Sequence, residues 1–76
     1  MKWIDIIVEA FQALNGSASL QDLYTYIEKN PKRKLTKSYQ ATIRKEIETH
    51  SSDSKNYNKN NPDLFANVGH GKWKLR

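Results

Sequence analysis

The chain closes on two short apolar-bearing runs, Leu64-Phe65-Ala66-Asn67-Val68 and Lys72-Trp73-Lys74-Leu75-Arg76, separated by Gly69-His70-Gly71. Trp73 and Leu75 alternate with Lys72, Lys74 and Arg76, which is the period of a strand with one apolar and one basic face. Gly-His-Gly supplies residues able to take the positive φ of a hairpin turn. A two-stranded hairpin is not stable by itself in water. The residues before it must therefore offer a surface that Phe65, Val68, Trp73 and Leu75 can cover.

That surface has to come from a small domain. Seventy-six residues make one unit, residues 1–76, which buries only about 60% of its unfolded surface. Eight aromatic residues help, because each buries a large area. With no cysteine there is no disulfide framework and no thiolate metal site. Two histidines, and no paired carboxylates at metal-binding spacing, argue against a metal site or any other cofactor. The first residues alternate charge and bulk without a small-residue cleavage site. No apolar run approaches the roughly 18 residues of a membrane span. The chain reads as an intracellular domain, cytoplasmic or associated with the nucleoid or nucleus.

Three helices precede the hairpin. Ile4, Ile7, Val8, Phe11 and Leu14 recur at helical spacing, so a first helix runs from about Trp3 to Leu14 and stops at Asn15-Gly16. Ser19-Leu20-Gln21-Asp22 resembles a capping box, and Leu20, Leu23, Tyr24 and Ile27 form the stripe of a second helix. Asn30-Pro31 ends it. Only Gly16-Ser17-Ala18 separates these helices, with room for one or two extended residues near Ala18. Leu35, Tyr39, Ile43 and Ile47 mark the inner strip of a third helix, which Thr36 or Ser38 can cap. At 100° per residue, Lys37, Ala41, Arg44, Lys45 and Glu48 fall on its opposite face. Residues 51–63 are polar and read as a loop long enough to be functional or mobile.

Charge is distributed unevenly. Residues 1–31 hold two lysines against four carboxylates, whereas residues 32–76 hold eleven Lys or Arg against four carboxylates, a balance of +7. Such an asymmetry points to a polyanionic partner, nucleic acid above all, against the plainer reading of a solvated charged face.

Helix, helix, helix, strand, turn, strand is the order of an α+β winged helix, a helix-turn-helix core closed by a β-hairpin wing. Trp3 with the first stripe, "LQDLYTYIE", "TIRKEIETHSSDS" and "LFANVGHGKWKLR" together resemble the small winged-helix domains found with restriction endonucleases. More distantly they resemble the group that includes the HARE-type helix-turn-helix domains. The resemblance implies binding of double-stranded DNA, with the third helix in the major groove and the wing along the backbone. It also implies two alternatives, since some relatives attached to nucleases read N6-methyladenine and others serve as adaptor modules; a protein–protein adaptor here would use the wing or the first helix.

In that frame Lys37, Ser38, Gln40, Ala41, Arg44 and Lys45 are the residues able to reach base edges. Arg pairs with guanine, Gln with adenine, and Ala41 leaves room for close approach. Arg44 sits at the edge of the face and has Glu48 one turn on as an alternative partner. Lys72, Lys74 and Arg76 on the wing, His70 at its tip, and Lys32, Arg33 and Lys34 before the third helix suit phosphates. The competing reading of the wing lysines is protection of an exposed strand edge. His50, Ser51 and Asp53 contain the residue types of a catalytic triad, but triad members converge from separate elements around a pocket. Helix capping is the expectation for them, and the chain is read as a non-enzyme. Trp73 is expected in the core. Trp3 is expected there too, or as an aromatic wall beside Ala41 and Thr42 for a methyl group.

Overall fold

The computed structural model describes residues 2–76. Its elements are α1 (Trp3–Ala13), β1 (Ser17–Ser19), α2 (Leu20–Lys29), α3 (Tyr39–Thr49), β2 (Phe65–Gly69) and β3 (Lys72–Leu75). The three helices and one three-stranded antiparallel sheet make an α+β fold, compatible with a winged-helix layout.

α1 buries Ile6, Ile7, Ala10 and Phe11. Its packed face is rotated from the stripe read in the sequence, since Ile4 and Val8 stay half-buried while Ile6 and Ala10 are enclosed. The apolar arc of the helix is wider than the surface the rest of the chain can cover. Asn15 (φ 67) and Gly16 (φ 85) then take the left-handed conformation. Gly16 N–H donates to the Phe11 carbonyl at 2.6 Å and Asn15 N–H to that of Gln12 at 3.3 Å. This Schellman closure satisfies the helix end and reverses the chain within two residues.

The reversal delivers Ser17–Ser19 alongside β3. β1 pairs antiparallel with β3 through Ser17↔Lys74, Ala18↔Trp73 and Ser19↔Lys72, and β2 flanks β3 on the other side. The last strand of the fold is thus the middle of the sheet, and the hairpin expected from the sequence is two-thirds of it. Ser19 ends β1 and caps α2: its side chain accepts from Asp22 N–H at 3.1 Å, and its own N–H donates to the Asp22 carboxylate. α2 packs inward through Leu23 and Ile27.

Phe65, Trp73 and Leu75 face the helices, with the Phe65 ring 5.2 Å from that of Phe11. Val68 does not join them. It is 49% exposed at a bulge, where Asn67 pairs with Trp73 and Gly69 with Lys72, leaving Val68 between. Phe65 and Val68 are three apart, so a period-2 strand cannot turn both inward. The bulge is held by the Asn67 side chain, which accepts from Gly69 N–H at 3.0 Å. Only Gly71 in the turn needs a positive φ (70); Gly69 does not.

Candidate nucleic-acid interface

α3 is positioned by Ile43 and Ile47, both fully buried, and by Tyr39, which meets Tyr24 of α2 edge to face. The Tyr39 hydroxyl bonds to the Glu28 carboxylate. Ser38 is the N-cap residue, yet its side chain makes no capping bond, and the first turn holds no acidic residue. Tyr39 N–H, the first of that turn, donates instead to the Thr36 carbonyl at 3.2 Å, beside the exposed Lys37. With the buried strip fixed, helical geometry turns Gln40, Ala41, Arg44 and Lys45 outward, and all four are exposed. Gln40 is partly committed, because its amide nitrogen lies 3.3 Å from the Tyr39 hydroxyl. Arg44 and Glu48 form no ion pair; Glu48 instead accepts from the Asn56 side chain at 3.2 Å.

The C-terminal end of α3 is tied to the sheet by the polar segment after it. Asn58 N–H and the Asn61 side chain both donate to the Thr49 carbonyl, and Leu64 and Phe65 N–H to that of His50. Ser51, fully buried, donates its hydroxyl to the Phe65 carbonyl at 2.7 Å and accepts from Asp53 N–H. His50 Nδ1 lies 2.7 Å from the Glu46 carbonyl. The expected capping role of this segment is what the structure shows. Its polar groups are used in folding, so it is a built connection between α3 and β2 and not the mobile loop its length suggests.

On the wing, His70, Lys72 and Lys74 are exposed, and Lys72 and Lys74 stand on the sheet face away from Trp73. Because β1 covers one side of β3 and β2 the other, these lysines are not guarding an open strand edge. Ala66 lies across from Lys74 and is buried without belonging to the core cluster.

Arg76 is a correction to the expected phosphate set. Its Nε donates to Asp63 at 2.9 Å, and its Nη2 donates to Ser52 and meets Asp53 at 3.1 Å. Asp53 also accepts from Asn67 N–H. Asp63 accepts from the Ser52 hydroxyl and N–H, and these bonds, with Arg76, hold its carboxyl below the usual carboxylate range. The Asp63 carboxylate in turn raises Arg76 above its ordinary value. The guanidinium is a clamp across the wing base.

The basic segment before α3 divides similarly. Lys32 reaches Glu9 of α1 at 3.6 Å. Arg33, though exposed, places its guanidinium 5.2 Å above the Trp3 ring, a cation–π contact. Trp3 packs against the core beneath it and is not a free wall for Ala41. Lys34 is exposed.

The outcome is a sorting of charge. In residues 32–76 Asp53 and Asp63 are engaged by Arg76 and Glu48 accepts from Asn56, while the Glu46 carboxylate lies 3.9 Å from His50 without a hydrogen bond. Among the described residues Lys34, Lys37, Arg44, Lys45, Lys55, Lys59, Lys72 and Lys74 take part in no ion pair. No described helix is long and apolar enough to cross a membrane. No protein-family model, curated protein or solved structure matches this chain.

Proposed function

We propose that this chain is a non-catalytic winged-helix domain that binds double-stranded DNA. α3 enters the major groove and the β2–β3 wing lies along the backbone. It serves as a small regulator or as the target-recognition module of a nuclease. The observation that carries this reading is the charge sorting. Asp53 and Asp63 are taken up by Arg76, and eight of the eleven Lys and Arg residues of 32–76 take part in no ion pair. Cations left without internal carboxylate partners suit a surface for phosphate.

The α3 face supports the same reading. Ala41 is small enough to let the helix approach base edges, and Arg44 and Lys45 flank it as donors. The uncapped first turn of α3, with Lys37 beside it, suits a phosphate at the groove edge. Hydrogen bonds tie the end of α3 to the start of β2, which fixes the helix relative to the wing. The longest dimension of the molecule is 29 Å, less than the roughly 34 Å of one DNA turn, so one domain occupies a single stretch of groove.

Fluorescence anisotropy with a labelled duplex, titrated across a salt series, tests the proposal. If about four to six phosphates are neutralised, log K against log salt should have a slope of roughly −4 to −5. Binding that is undetectable at low salt, or indifferent to salt, would falsify it.

A further inference from the structure

The incomplete burial of α1 leaves a groove on the molecule. Ile4 and Val8, one turn apart on α1, form one wall, and Leu64 and His50 form the other. The groove is open and has a volume of about 690 Å³, as large as many small-molecule sites. Along its rim Asp5, Glu9 and Gln12 follow at four- and three-residue intervals, so an apolar row and a polar, acidic row run parallel down the helix. None of the exposed α3 residues and none of the wing lysines line it. DNA held as proposed above would leave it open.

We propose that this groove docks an amphipathic helix from a partner protein, with an aliphatic face bordered by Lys or Arg. The apolar row takes the aliphatic side chains, as in helix-in-groove recognition. The acidic rim selects the charge. Asp5 has no ion-pair partner among the described residues, and the Glu9–Lys32 contact is exposed on both sides, so a stronger cation replaces it at little cost. A second copy of this chain is the wrong occupant. Packing α1 on α1 would set the Asp5 and Glu9 carboxylates of both copies along one seam, and like charges in apposition oppose association. The whole chain carries +5, so a cationic helix is repelled elsewhere, and its binding isolates the local acidic rim.

The probe is a synthetic peptide of roughly 18 residues, long enough to hold a helix. Leucines stand at i, i+3, i+4 and i+7 spacing and lysines elsewhere. Two controls are the same pattern with glutamate for lysine, and the Leu–Lys composition scrambled to lose the stripe. Binding is followed by NMR chemical-shift mapping and by titration calorimetry on the full chain. The Leu–Lys helix should bind, with shifts centred on Ile4, Val8, His50 and Leu64. Asp5→Lys combined with Glu9→Lys should weaken it by at least about tenfold. Both positions lie on the rim, so the fold, checked by circular dichroism, and DNA affinity should persist. Four results would each overturn the proposal: tighter binding of the Leu–Glu helix, equal binding of the scrambled peptide, shifts outside the groove, or no binding at millimolar peptide. Concentration-dependent dimerisation that Val8→Asp abolishes would overturn it too, by making a second copy the occupant.

Discussion

Replacing Trp73 with alanine should unfold much of the domain. Trp73 is 6% exposed and stands on the middle strand, facing Ala18 of β1 and Asn67 of β2. Truncating a buried tryptophan costs about 3–5 kcal/mol, the lost transfer energy plus the cavity left behind. At about 0.05–0.15 kcal/mol per residue, a chain of this length has on the order of 4–11 kcal/mol in all. With a urea dependence of about 1 kcal/mol per molar for so small a domain, the midpoint should fall by on the order of 3–5 M. At the low end of the stability range, the upper end of that cost leaves the unfolded state favoured. Trp73→Phe keeps a ring in the site and should cost about 1–2 kcal/mol. Urea titrations followed by circular dichroism measure both variants, with Trp3 fluorescence as a second probe. A Trp73→Ala protein with an unchanged midpoint and lost DNA affinity would refute the reasoning, because it would place the indole on the binding surface.

Three further outcomes are expected. Lys45→Ala should change sequence preference by about 1–3 kcal/mol at the base it contacts, while Lys74→Ala should weaken all duplexes about equally; anisotropy across a duplex panel that showed the reverse would invert the assigned orientation. Because the folded-state pKa of Asp63 is lowered, its contribution to stability is present above the ordinary carboxylate value and is lost as pH falls below about 4 through the folded value. Asp63→Asn should therefore flatten the acid limb of a thermal-melt pH series, and an unaltered limb would show that the Arg76 clamp carries no such linkage. A duplex carrying N6-methyladenine should bind more tightly than its unmethylated match, by on the order of tenfold for two methyl groups, since burying each is worth about 0.8 kcal/mol and Ala41 is exposed on α3 with Thr42 half-buried beside it; equal affinities, or tighter binding of the unmethylated duplex, would remove this reading.

The helices were legible because each carries its own instructions: an apolar period, the Ser19–Asp22 box, Asn15-Gly16, and Pro31. Helical periodicity likewise placed Ala41, Arg44 and Lys45 on one exposed face. What escaped was set by contacts distant in sequence. The extended residues expected near Ala18 do form, as β1, but their pairing with β3 has no local signal in the sequence. Arg76 looks like one more basic residue on a strand until Asp53 and Asp63 converge on it. Arg33 likewise belongs to a basic run until Trp3 is found beneath it. Val68 stays exposed for a local reason: three residues from Phe65, strand parity turns it outward despite its apolar character. The groove on α1 was hidden in a stripe that looked fully committed to the core.

The central position of β3 governs when this protein can fold. Ser17 pairs with Lys74 and Phe65 with Leu75, so the first sheet contact spans most of the chain and the sheet cannot begin without its last strand. A nascent chain ending before residue 72 has helices with no sheet to close them, and its apolar residues stay available to chaperones. At about 5–20 residues per second that interval lasts seconds. Completion of β3 then joins both flanking strands in one step, and the long-range pairing sets the rate of that step. A product truncated before those few residues should be a proteolysis substrate and not a weakened version of the domain.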